Sequence, residues 1–116
     1  MNGLPTVRRQ TRDAERSELE LLVDADNPWF QGHFPQFAIL PGVVQIGWAE
    51  HYARTLYGLE PGIAALEQVK FKRPILPGAE LLLILKPDLG ARKIRYEYRD
   101  AEMSYSSGIL SFVGAA

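Results

Sequence analysis

The sequence predicts an α+β domain in which an antiparallel sheet covers one long helix. Three observations carry that expectation. Residues 41–57 form a run long and apolar enough to be a buried helix. The chain before it alternates as a half-buried strand does, and four strand-like runs after Gly62 are separated by turn chemistry.

Residues 1–5 read as a loose tail and 6–12 as a first, polar strand. The charged stretch Thr11-Arg12-Asp13-Ala14-Glu15-Arg16 suits a solvated hairpin tip, although Arg8, Arg9, Arg12 and Arg16 would also suit an acidic partner. In 17–23, Leu19 and Leu21 fall on one face, and Asp24-Ala25-Asp26-Asn27-Pro28 then breaks the strand. Pro41 belongs in the first turn of a helix, where its missing N–H costs nothing, and Gly58 followed by Pro61-Gly62 supplies the stop. Seventeen residues span about 25 Å. Val43, Ile46, Gly47, Glu50, Arg54 and Tyr57 recur at intervals of three and four, so they share a face that turns from apolar to polar. Its apolar first half is expected to meet the sheet. The four later strands are expected at 63–73, 80–86, 92–99 and 103–113, with breaks at Pro77-Gly78, Pro87-Asp88-Leu89-Gly90 and Asp100-Ala101-Glu102. No repeat or interior linker divides the 116 residues, so one domain over 1–116 is expected.

Composition narrows the function classes. With 47% hydrophobic and 23% charged residues the chain has an ordinary globular balance, yet one short chain supplies little sheet to cover a long apolar helix, so a dimer is expected. A net charge of −1 gives no general attraction to nucleic acid or to an anionic membrane. The absence of cysteine removes thiolate nucleophiles, disulfides and zinc-thiolate sites. The start lacks the apolar stretch of a signal peptide and no apolar run approaches about 18 residues, so a cytoplasmic location is expected.

The most site-like stretch runs from Trp29 to Trp48. Gly32 lets the backbone approach another group closely, and Phe34-Pro35 favours extended chain, so His33 sits in a restrained loop. Beyond it, Pro41-Gly42 opens the helix with uncovered amides, and free N–H groups there suit a developing oxyanion. Asp24 and Asp26 invite a metal reading with His33, but Asp/Asn/Pro clusters are ordinary turn chemistry, and no metal is predicted.

Phe30-Gln31-Gly32-His33-Phe34-Pro35, followed by Ile39-Leu40-Pro41-Gly42-Val43, resembles the active-site segment of the beta-hydroxyacyl-acyl-carrier-protein dehydratases, which have the hot-dog fold. Val69-Lys70-Phe71-Lys72-Arg73-Pro74-Ile75-Leu76-Pro77-Gly78-Ala79-Glu80-Leu81 resembles that family's strand and turn after the central helix. The variant Pro41-Gly42-Val43-Val44-Gln45-Ile46-Gly47-Trp48, with His51-Tyr52, looks closer still to the dehydratase-like proteins of aryl polyene pathways. The resemblance covers roughly residues 17–113.

It implies a sheet wrapped around one central helix, and removal of an α-proton beside a thioester carbonyl. His33 matches the family base, a role that needs a pKa near neutrality. Gly42 matches the helix-start donor, with Val43 beside it. The departure is the acid: the family position, fourteen residues after the histidine, is Gly47. Glycine there suggests close packing, room for substrate, or drift after loss of catalysis. Glu50 either replaces the acid from one turn further on or pairs with Arg54 at i,i+4. His51 is either a second acid/base group or a surface or core histidine. Gln45 and Trp48 line or close an acyl channel, or, for Trp48, belong to the core.

Three functional readings follow. The first is dehydration of 3-hydroxyacyl-acyl-carrier-protein thioesters to trans-2-enoyl thioesters by a dimer that needs no cofactor. The second is an acyl thioesterase using the same pocket. The third is a non-catalytic acyl-binding or heterodimer subunit that lost its acid at Gly47.

Overall fold

The computed structural model describes residues 3–30, 38–60 and 62–113. His33, the expected base, lies outside the described residues, as do Gln31, Gly32, Phe34 and Pro35 of its motif and Pro61 of the helix stop.

Six strands and one long helix follow in the order expected: β1 (Thr6–Arg12), β2 (Ser17–Leu22), α1 (Gly42–Tyr57), β3 (Ile63–Phe71), β4 (Glu80–Asp88), β5 (Lys93–Arg99) and β6 (Ser104–Phe112). The strands form one sheet in the order β1-β2-β4-β5-β6-β3, and every neighbouring pair is antiparallel. β4 runs through Pro87 and Asp88, where a break was expected. Both residues stay in register with Ile94 and Lys93, and the turn comes only at a short 3-10 helix, Leu89–Ala91, whose Ala91 amide donates to Asp88 Oδ1.

Alternation puts Leu19 and Leu21 of β2, Leu81, Leu83 and Leu85 of β4, and Ile94, Tyr96 and Tyr98 of β5 on the inner face, where they pack around α1. The helix contributes Val44, Trp48, Ala49, Tyr52, Ala53 and Leu56. This corrects the expected orientation, because the face that carries Val43, Ile46, Gly47, Glu50, Arg54 and Tyr57 is the opposite one. Val43 is 75% exposed, Gly47 is exposed, and Ile46 and Glu50 are half-buried. The residues that face the sheet recur at intervals of four and three, and they carry the larger aromatic and aliphatic area to bury.

The helix begins one residue later than expected. Pro41 occupies the N-cap with extended backbone (φ −58°, ψ 144°), and among the described residues no side chain caps this end. At the other end Gly58 takes the left-handed conformation (φ 64°), and the Arg54 carbonyl accepts from the amides of Gly58 and Leu59, so the stop read from glycine is a C-terminal cap.

The loose tail expected at 1–5 is tied down from Gly3 onward. The Gly3 carbonyl accepts from the buried Trp48 Nε1 at 3.0 Å and from Asn27 Nδ2 at 3.1 Å, and Pro5 is buried. An indole N–H sealed in a core needs an acceptor, and the tail supplies it. The hairpin arginines are likewise engaged: Arg8 with Glu80, Arg9 with Glu20, Arg16 with Glu18, and Arg12 over the Tyr57 ring.

Candidate active site

The site is built where α1 starts. Pro41 has no N–H to offer, and its carbonyl accepts from Val44 and Gln45 at 3.1 and 3.2 Å. The amides of Gly42 and Val43 therefore precede the intrahelical ladder, and among the described residues no side chain caps them. A groove of about 400 Å³ opens beside them, with Leu40, Gly42 and Gln45 on one side and Phe71, Lys72 and Arg73 on the other. A second depression, of about 460 Å³, continues from Arg73 and Pro74 toward Leu76 and Tyr105. Lys72 and Arg73 set positive charge on a lip that is otherwise mainly apolar.

Gly42 permits a close approach. A Cβ at this position would lie 2.7 Å from Cζ of Phe71, so the ring lies directly against the first residue of the helix. Phe71 reaches it through a bulge in β3. Gln68 adopts φ 51°, and the register with β6 shifts between Glu67 and Lys70, so that Phe71 pairs with Ser106. With the register unshifted, Phe71 would follow Glu67 and Val69 onto the outer face.

Below the groove lies a polar cluster inside the core. Gln45, 3% exposed, donates from Nε2 to the Leu40 carbonyl at 3.1 Å, and its Oε1 accepts from Ser106 Oγ at 2.6 Å. Tyr98 donates its hydroxyl to the main-chain carbonyl of Gln45 at 2.6 Å. Burial pushes the Tyr98 hydroxyl well above its ordinary pKa of 10.0, and Tyr96 and Tyr52 beside it act in the same direction, so it remains a donor. Tyr96 is equally buried, but its hydroxyl has no hydrogen-bond partner among the described residues, and burial raises it to about 12. Gly108 makes room for that ring, since a Cβ there would stand 2.7 Å from Tyr96 Cε2.

The expected site residues divide. Gly42, Val43 and Gln45 meet at the helix start, while Trp48 is core rather than channel wall, 4% exposed with its N–H on Gly3. Glu50 Oε2 lies 2.5 Å from Arg54 Nε. Eight residues from Gly42, its backbone is about 12 Å along the axis from the helix start. Gly47 faces outward, and a Cβ built on it meets nothing within 4 Å. His51 packs edge-on against Tyr52 at 5.0 Å, on the far half of the helix. Ser106 and the β3 bulge were not anticipated. Ser106 is one of four serines in β6, with Ser104, Ser107 and Ser111, so no local pattern set it apart. Another surface depression, of about 620 Å³, lies away from α1 on the outer face of the sheet, among Arg8, Glu20, Glu80, Lys86, Glu97 and Arg99, and brings no helix-start amides to a ligand. Among the described residues no three His, Asp or Glu side chains are grouped to hold a metal, and no helix is long and apolar enough to cross a membrane.

Residues 9–109 match the ApeI-like family, described as ApeI dehydratase. The chain belongs to the ApeI-like family. Among solved structures it resembles a chain of the dehydratase heterocomplex ApeI:P from Xenorhabdus doucetiae, with a TM-score of 0.85 and 34% identity over 95% of this chain and 98% of that one. An uncharacterized protein from Erwinia carotovora subsp. atroseptica gives a TM-score of 0.80 and 35% identity, with 97% of each chain covered. The PpsC dehydratase domain from Mycobacterium tuberculosis, in its H959F variant, shares the fold at 15% identity, with a TM-score of 0.74 over all of this chain and 46% of that one. The hot-dog fold expected from the sequence is the fold of this family member.

Curated relatives are 3-hydroxyacyl-[acyl-carrier-protein] dehydratases FabZ. That of Hydrogenobaculum sp. is 34% identical over 73 residues, 55% of this chain and 49% of the relative. That of Polynucleobacter asymbioticus is 33% identical over 75 residues, 59% of this chain and 50% of the relative. The chain spans about half the length of the curated relatives it matches.

Proposed function

We propose that this chain serves the dehydration of 3-hydroxyacyl-acyl-carrier-protein thioesters to trans-2-enoyl thioesters. The observation that carries the proposal is the uncapped start of α1 at Gly42, opening into an apolar groove. Membership of the ApeI-like family and the similarity to FabZ dehydratases support it. In the scheme, the thioester carbonyl accepts from the amides of Gly42 and Val43, which lowers the cost of enolate-like charge. His33 takes the α-proton, the Cα–Cβ double bond forms, and the β-hydroxyl leaves with a proton from an acid as water. No cofactor enters, because the substrate's own carbonyl carries the charge. An acyl-carrier-protein substrate would place the reaction in the cytoplasm.

The acid comes from a second hot-dog chain. Position 47 offers no proton, and Glu50 is held by Arg54 about 12 Å from the helix start, so neither serves the amides of its own chain. The outward face with Val43, Ile46 and Gly47 is apolar and open, which suits coverage by another chain. Similarity to a chain of the ApeI:P heterocomplex supports such an assembly.

The test is turnover of a 3-hydroxyacyl-carrier substrate, followed by mass spectrometry, with this chain alone and with a candidate hot-dog partner. Loss of water only in the mixed assembly is expected, abolished by His33→Ala in a protein that still folds. Release of free thiol from saturated acyl thioesters would mark a hydrolase instead. Full turnover by this chain alone would remove the second chain from the scheme.

A further inference from the structure

The first turn of α1 is gripped at three points by one cross-strand row. Tyr98 on β5 pairs with Ser106 on β6, and Ser106 pairs with Phe71 on β3. Residues directly opposite in a sheet point to the same face, so all three reach the helix. Tyr98 holds the Gln45 main-chain carbonyl, Ser106 holds the Gln45 side chain, and Phe71 lies against Gly42.

Gln45 passes this grip to the chain just before the helix. Its Nε2 bonds the Leu40 carbonyl, while the Leu40 amide donates to the buried Ile75 carbonyl at 2.8 Å. The backbone at Leu40 is thus clamped from two sides. The Pro41 carbonyl is occupied by Val44 and Gln45, so the peptide planes that carry the Gly42 and Val43 amides keep little rotational freedom. A glutamine side chain sealed in a core would be costly without both bonds, and nothing about covering the sheet requires an amide there.

We propose that Gln45 is a positioning residue: held by Ser106 and holding Leu40, it aims the Gly42 and Val43 amides at a thioester carbonyl. The inference rests on the dehydration scheme only for the identity of the carbonyl. Gln45→Met keeps length and volume but removes the donor and the acceptor, and Ser106→Ala removes one bond alone.

The experiment uses a saturated acyl-carrier thioester, labelled with ¹³C at the carbonyl, bound to the purified protein. Infrared difference spectra read how strongly the amides polarise the carbonyl. The wild-type band moves to lower frequency on binding, and Gln45→Met returns it toward the solution position. In the assembly that turns over substrate, kcat falls on the order of 100-fold, as for a group displaced by about an ångström, while KM stays within about threefold. Ser106→Ala gives a smaller loss of the same kind and carries the test should Gln45→Met fail to fold. A wild-type band unmoved by binding, or variants that melt lower but keep the wild-type band and kcat, would overturn the assignment. A band shift that the variants abolish, in a wild-type assembly that dehydrates nothing, would leave the positioning role standing and remove the dehydration scheme.

Discussion

Oε2 of Glu50 is 2.5 Å from Nε of Arg54, which ties the carboxylate toward the C-terminal half of α1 and away from Gly47. The pair is partly shielded and has the favourable i,i+4 orientation. Glu50→Gln is therefore expected to leave turnover within about twofold of wild type. A loss beyond about tenfold would return the acid role to Glu50.

Position 47 is where an acid can be restored. Open space around its Cβ direction means that Gly47→Ala should fold and gain about 1 kcal/mol from helix propensity, read by urea unfolding. Gly47→Glu or Gly47→Asp should give the chain alone measurable dehydration at least about tenfold above wild type. An acidic variant that folds, binds substrate and stays inert would count against a missing carboxylate.

Two buried tyrosines on one strand should respond oppositely to loss of the hydroxyl. Tyr98→Phe removes a bond to Gln45 and should cost about 1 kcal/mol, whereas Tyr96→Phe removes a buried hydroxyl unpartnered among the described residues and should be neutral or stabilising by about 1 kcal/mol. Chemical denaturation of the two variants measures the order. The reverse order would mean that the Tyr96 hydroxyl has a partner.

The same burial sets an alkaline limit. Tyr96 is raised to about 12 and Tyr98 higher than its ordinary 10.0, so the unfolded chain releases these protons first. Their contribution to stability is complete below pH 10 and is lost as pH rises through about 12. Tyrosinate absorbance and loss of circular dichroism should rise together in that window. Ionisation of all five tyrosines near pH 10 with the fold intact would refute this.

Removing residues 1–5 should leave Trp48 Nε1 buried without its Gly3 acceptor, at a cost of about 1–3 kcal/mol. Thermal unfolding followed by tryptophan emission reads it. An unchanged transition would mean that water or another group replaces Gly3.

Much of the fold was legible before any coordinates. Leu19 and Leu21, or Ile94, Tyr96 and Tyr98, announce a strand and its inner face at once, because alternation is a local property. Pro41-Gly42 and Gly58 mark both helix ends through backbone constraints that travel with the residue type. The helix face was misread because α1 begins apolar on both sides. Val43 and Ile46 suggest burial as strongly as Val44 does, and only Trp48, Tyr52 and Leu56 further along break the tie.

Order of elements, the uncovered amides at Gly42 and the want of a carboxylate at Gly47 are thus properties of short stretches of chain. The meeting of Gln45 with Ser106 and Tyr98, the clamp on Leu40 and the swing of Phe71 onto Gly42 are not. They join residues 53 and 61 positions apart and depend on a one-residue slip in the pairing of β3 with β6, which no local pattern encodes. Register across a sheet is set by the sum of its neighbours' packing, so the folded molecule alone could place these groups together.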